Sequence, residues 1–367
     1  MSRSHLARWF LWSLTLGLGV IAVAFVWVVW KAMRATRPAA GPLWTEASLP
    51  APPPRKDNGF ALLVDQYNTL GKLEVPSALT GIATPTAGGT EDATWTAMQA
   101  PAVASFLDSE DAKDRFAGFE RSLELPRFAD DCPLEIATEC PVRLILVMHR
   151  TMEFRVVRAA AQGDWTLALG WAGRLARADT DYVVTARGVI AHALGLAALH
   201  RSVELSAVLA RRLEADGICS KRTAGQTAAL ESLRTGLAAI DPARIDLHKA
   251  VISEYVVERK QLLKVFAESK GLREKLLLDP EDTLRRLDAR YKQIAAFAAA
   301  PLSAPPPPVS PGTLPWTELV SNPIGKQTLM MLEADVSTVF QNFERKRLEM
   351  AKRREGVVMS IGACLEK

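Results

Sequence analysis

The chain has little with which to build a catalytic or metal centre. Its 367 residues contain only five histidines and four cysteines. No His-Glu-x-x-His helix, dinucleotide fingerprint, nucleophile elbow or Cys–His pair is present, which removes the common signatures of zinc, nicotinamide and acyl-transfer chemistry. His192 and His200 lie eight positions apart, and His200 forms one i, i+4 pair with Glu204, short of the three or four ligands that zinc takes. Nothing in the pattern calls for a cofactor or a metal. Acidic residues are missing from the first 45 positions, whereas five of the 45 basic residues (Arg3, Arg8, Lys31, Arg34 and Arg37) lie there. The rest sets 40 basic against 41 acidic residues and is close to neutral. That balance lacks the basic excess of a nucleic-acid-binding domain, so no nucleic-acid partner is expected. Alternating strand patterns bounded by turns are also missing, which leaves an all-α fold.

What the chain does have is one long uncharged run, FLWSLTLGLGVIAVAFVWVVW, from Phe10 to Trp30. As a helix its 21 residues extend roughly 32 Å, matching a hydrocarbon core of about 30 Å. Trp9 and Trp12 at one end, with Trp27 and Trp30 at the other, suit the headgroup boundary. A secretory signal would have a shorter apolar region and small residues at a cleavage site, where this chain has Lys31, Arg34 and Arg37. The expectation is an uncleaved, single-pass membrane anchor. Basic residues flank both ends almost evenly, so charge alone does not orient it.

The cysteines lean toward an extracytoplasmic domain. Cys132 and Cys140 bracket the short loop DCPLEIATECP, and Cys219 and Cys364 complete an even set of four, which suits an oxidising compartment. Closing the loop between Cys132 and Cys140 would contribute roughly 2.5 kcal/mol by chain entropy. Four cysteines permit three pairings, and spacing does not choose among them.

Five regions follow. Residues 1–37 hold the tail, anchor and flank; residues 38–57 are a proline-rich spacer, too rich in proline for a helix. Residues 58–300 form a helical domain, residues 301–315 (PLSAPPPPVSPGTLP) a second proline-rich break, and residues 316–367 a terminal helix. Within the domain, Asn58 caps a short helix that Gly71 stops. Residues 71–93 read as loop, followed by helices at about 94–108 and 110–123. Pro141 suits the first turn of a largely buried helix, and Asp164 opens another with Leu167, Trp171 and Leu175 on one face. Asp179 or Thr180 predicts a helix start running to Ala198, Ser202 a further one to Arg212, and Asp241-Pro242 a long one ending near Gly271. Asp279-Pro280 repeats that signal. In the terminal helix Leu329, Leu332, Val336, Val339, Phe343 and Met350 form an apolar stripe that is expected to pack on its own domain, with a partner helix or a second copy as the alternative. Arg345, Lys346, Arg347, Lys352, Arg353 and Arg354 then make a cationic stretch, a candidate face for a partner or for anionic lipid, with i, i+4 ion pairs as the plainer account.

The stretch AAAQGDWTLALGWAGRLARA around Gly163 resembles the interhelical corner of a tetratricopeptide hairpin, with a turn at Gly163, a cap at Asp164, and Trp165 and Ala168 packing between helices. The signature does not recur after 34 residues, so one hairpin is implied, not an array. More widely, Asn58-Gly59-Phe60-Ala61-Leu62-Leu63, the Cys132/Cys140 loop, Ala178-Asp179-Thr180, and Asn322-Pro323-Ile324-Gly325-Lys326 resemble a group of bacterial single-pass, membrane-anchored helical proteins with no assigned activity. That resemblance implies an envelope location and a carboxyl end extending beyond Lys367. The NPIGK segment lacks the further glycines and the Ser/Thr of a phosphate loop and reads as a capped helix start.

Together these readings lead to the expectation of a bacterial inner-membrane protein whose bulk lies in the periplasm, a non-catalytic scaffold or adaptor that holds another envelope protein or a second copy. The alternatives are an envelope hydrolase whose carboxylates, such as Asp130, Asp131, Glu135 and Glu139, converge only in the fold, and a lipid-contacting protein acting through its basic terminal helix.

Overall fold

The computed structural model describes Val26 and residues 41–49, 51–71, 75–76, 79, 91–133, 140–245, 247–268, 278–298 and 323–367, the last segment with side chains from residue 342. The anchor apart from Val26, including its four tryptophans, the break at 301–315, Glu135, Glu139 and the side chains of Leu329 to Val339 lie outside them. Helix dominates the described residues, and no strand occurs among them. One isolated parallel bridge joins Asn58 to Arg127.

The first helix, α1 (Gly59–Leu70), starts as its sequence dictates. The Asn58 carboxamide accepts from the Phe60 N–H, and Gly71 ends the helix at φ 73°. The same carboxamide reaches across to the chain after the next hairpin, donating to the Ala129 carbonyl and accepting from its N–H, each at 2.9 Å. Gly59 follows because no side chain fits there: a Cβ would stand 2.0 Å from the Ser122 carbonyl.

Three helices follow where two are expected, α2 (Glu91–Met98), α3 (Pro101–Asp108) and α4 (Glu110–Glu124). Pro101 has no N–H to continue the ladder and takes the first position of a new helix, splitting the segment. Ser109 then caps α4 through the Ala112 N–H.

The centre of the core is α5 (Leu144–Ala161), α6 (Trp165–Thr185) and α7 (Val189–Ala215). Helix α5 begins three residues after Pro141, which supports its entering turn. Gly163 at φ 85° and the Asp164 cap on Leu167 make the corner between α5 and α6. Trp165, Ala168, Trp171 and Leu175 are buried along α6, while Leu167 is 41% exposed. The buried stripe thus starts two residues earlier than the expected one.

Neither Asp179 nor Ser202 starts a helix. Both lie inside long helices, because their side chains bond each other across the α6–α7 contact instead of capping backbone. Helix α7 is the one described helix long and apolar enough to cross a membrane, yet 72% of its most apolar window is buried within the protein, so packing accounts for its composition. Gly195 permits that packing, since a Cβ there would meet Tyr182 at 2.9 Å. Helix α8 (Ala224–Ala238), opened by a Thr223–Gln226 capping box, lies along α6. Asp241 caps only a short 3-10 turn at Pro242–Arg244, and α9 (His248–Glu268) starts later than expected.

The chain divides into two compact units. The larger joins Thr45–Glu254 to Phe340–Lys367, the second half of α11 (Pro323–Glu366). From that half Met350, Val357, Ile361 and Cys364 enter the core. Both cysteine pairs are at disulfide distance, Cys132 with Cys140 (Cα–Cα 5.7 Å) and Cys219 with Cys364 (5.0 Å). Beside the second, Arg222 donates to the carbonyls of Cys219, Cys364 and Leu365 and fastens the end of α11.

The smaller unit includes Tyr255–Ile294. There α10 (Pro280–Ala298) begins at Asp279-Pro280 as expected, with Asp279 accepting from the Asp282 N–H. Leu284, Leu287 and Tyr291 are buried, and the Tyr255 hydroxyl donates to Asp288 at 2.6 Å while accepting from the Leu43 N–H at 2.7 Å.

Candidate functional site

The most concentrated chemistry lies inside the α5–α6–α7 core. His149 and Glu153 are one turn apart on α5; Asp179 comes from α6, and Ser202 and Arg201 from α7. His149 Nε2 is 3.0 Å from Ser202 Oγ and 2.9 Å from Asp179 Oδ2, while the Ser202 hydroxyl donates to that same Asp179 oxygen at 2.6 Å. Glu153 faces Nδ1 at 3.5 Å, a charge contact longer than a well-formed hydrogen bond. Arg201 closes the set with a bidentate bond to Glu153, 2.9 Å at its shortest.

A serine, a histidine and carboxylates at these distances suggest nucleophilic catalysis, but the electrostatics and access oppose it. The four core side chains are all at most 1% exposed. Burial alone would strip the imidazole of its proton, yet Asp179 and Glu153 outweigh burial and raise its pKa to about 9. A protonated Nε2 has no lone pair with which to take the serine proton. Burial likewise opposes the Glu153 charge, and His149 and Arg201 hold that carboxyl below its usual range all the same. The arrangement is a sealed ionic network that ties three helices together. Its one trace in the sequence is the His149/Glu153 pair at i, i+4, within a helix whose other charged residues are all arginines.

The surface offers a different kind of site. A cleft of about 680 Å³ runs between α6 and α8. Its lining on α6 extends from Gly170 to Val184, four helical turns or about 21 Å, and on α8 from Ala229 to Gly236, about 10 Å. Small residues form the floor, including Gly170, Gly173, Ala229, Ser232 and Gly236. A methyl group added at Gly170 or Gly236 would meet no atom within 4 Å, so these helical glycines leave open space and relieve no clash.

Arginines rim the cleft. Arg127 forms a bidentate pair with Asp181, and Arg174 pairs with Glu124 at 3.1 Å. Arg177 donates to the carbonyls of Leu123 and Leu125, and Arg244 is exposed. No carboxylate among the described residues pairs with Arg177 or Arg244. Four arginines therefore stand against three carboxylates, Asp181, Glu124 and Asp241, the last capping its own turn. A second cleft of about 580 Å³, beside Cys219 and Cys364, has no such surplus: Glu91, Asp92 and Glu214 balance Arg211, Arg353 and Lys367.

The residues expected to act from the sequence are scattered. The cations of the terminal helix do not share one face. Arg347 turns inward to Glu344 and the Pro242 carbonyl, Arg353 bonds Glu204 at 3.0 Å and Glu91 at 2.6 Å, and Arg354 donates to the Ile240 carbonyl. These three have side-chain and backbone partners within the larger unit, while Arg345, Lys346 and Lys352 are exposed. Asp130 and Asp131 line neither cleft. Asp130 is buried and accepts the N–H groups of Cys132 and Arg187, and Asp131 pairs with Arg55 at 2.9 Å. His192 is buried edge-on to Phe343, and His200 faces Glu204 at 3.6 Å. No group of three or more metal-ligating side chains gathers among the described residues.

The arginine-rimmed cleft was not legible beforehand, since its signal is glycine at 170, 173 and 236 on two helices whose pairing only the fold reveals. No protein-family model, curated protein or solved structure matches the chain.

Proposed function

We propose that this chain is a membrane-tethered, non-catalytic adaptor whose helical domain holds another protein of the bacterial envelope. The observation that carries the reading is the cleft between α6 and α8: long, open and floored by small residues, it has the form of a docking groove. The serine–histidine–carboxylate set, by contrast, is closed to substrate. In this reading the apolar run at 10–30 anchors the chain in the inner membrane and the domain lies in the periplasm. The use of all four cysteines in two pairs supports an oxidising surrounding.

Mild-detergent purification of the tagged full-length protein, with free thiols alkylated beforehand, tests both parts. The expected result is a stoichiometric envelope protein in the eluate and no label on Cys132, Cys140, Cys219 or Cys364. A lone chain carrying four alkylated thiols would overturn the reading and turn the search toward a cytoplasmic substrate.

A further inference from the structure

The geometry points to an acidic helix of the partner protein as the occupant of the groove between α6 and α8. The inference rests on the adaptor reading and names the chemistry of what that adaptor holds. Charge carries it: of the four arginines on the rim, Arg127 and Arg174 are paired with Asp181 and Glu124, while Arg177 and Arg244 have no carboxylate among the described residues. The similar-sized cleft beside Cys219 and Cys364 is lined by three acidic and three basic side chains and shows no such excess.

Shape selects the form of the ligand. A lining of four turns on α6 is long for a small anion and suits a helix of about four turns. Open space above Gly170 and Gly236 lets a third helix approach closely, as small residues do wherever helices pack tightly. Arg174 is already paired with Glu124, so Arg177 and Arg244 are the cations that carboxylates of the incoming helix meet.

The first test uses the full-length protein in detergent micelles and a fluorescein-labelled, 16-residue, alanine-rich helical peptide with glutamates spaced one turn apart. Fluorescence anisotropy is expected to show salt-sensitive binding, at least tenfold tighter than to the same peptide with glutamine in place of glutamate. The double variant Arg177→Glu/Arg244→Glu should lose at least tenfold. Gly170→Leu/Gly236→Leu should abolish binding with an unchanged or higher melting temperature, because both side chains enter open space. Equal affinity for the two peptides, or binding that survives the filled groove, would overturn the inference. Displacement by inorganic phosphate, where chloride at the same ionic strength has no effect, would also overturn it, in favour of a small anion.

Photo-crosslinking in intact cells separates this inference from the adaptor reading beneath it. Benzoylphenylalanine replacing Ser232 should link to an acidic segment of one envelope protein, and Arg177→Glu/Arg244→Glu should remove the link. A protein captured from the same probe at Lys352 but not at Ser232 would overturn the acidic-helix inference and leave the adaptor in place. Capture from neither position would overturn both.

Discussion

Asn58 and Gly59 are neighbours with opposite requirements, one for a side chain and one for none. The Asn58 carboxamide serves α1 and the 127–129 segment at once, while the backbone at Gly59 donates to the Arg127 carbonyl at 2.8 Å. Gly59→Ala should cost about 1–3 kcal/mol through overpacking against Ser122, as measured by urea denaturation. Asp179→Ala leaves the His149 imidazolium with a single flanking carboxylate and should cost roughly 3–5 kcal/mol in the same experiment. The two buried histidines bracket the pH range of stability from opposite sides. His149 titrates near 9 when folded, against about 6.5 unfolded, so its contribution is complete below 6.5 and disappears as pH rises through 9. For His192, burial lowers the folded value to about 4; its contribution is present above 6.5 and disappears as pH falls toward 4. Urea midpoints at pH 4.5, 7 and 9.5 should peak at the middle value, and His149→Leu should flatten the alkaline limb.

At the scale of the helix, the starts that the sequence announced were those where the capping side chain turns back onto its own helix, whatever else it binds. Asn58, Asp164 and Asp279 bond the backbone of their own helices, and their residue types and the apolar runs after them were enough to find them. Asp179 and Ser202 are of the same residue types and were misread as helix starts, because their partners are each other and a histidine on a third helix. No local pattern distinguishes the two situations. The partners of the α11 arginines were out of reach of local pattern for a similar reason, since the acceptors of Arg347, Arg353 and Arg354 include groups more than 100 residues away. The groove was hidden because a helical glycine usually signals close packing, and Gly170 and Gly236 pack against nothing. Gly170→Ala and Gly236→Ala should each stabilise the protein by up to about 1 kcal/mol, since helix propensity improves without a clash; thermal melts would show it. Two helices that keep such residues forgo that stability along one shared face.

Over the whole molecule, the all-α class was readable from the absence of strand alternation, and the apolar stripe of the terminal helix pointed to packing on its own domain; which elements receive Phe340–Lys367 was not readable, because a proline-rich stretch separates it from Thr45–Glu254. The two cysteine pairs differ in what they hold. The Cys132–Cys140 pair closes a separation of 8 residues and the Cys219–Cys364 pair one of 145, which correspond to about 2.5 and about 5 kcal/mol in the chain-entropy account. Cys219→Ser/Cys364→Ser should therefore lower the denaturation midpoint more than Cys132→Ser/Cys140→Ser. The longer link also makes residues 219–364 a covalent ring. One protease cut anywhere inside that ring, the 301–315 stretch included, opens the circle without separating the pieces. On a gel such a nicked chain would keep its full mass until a reductant is added, and only then fall into two fragments.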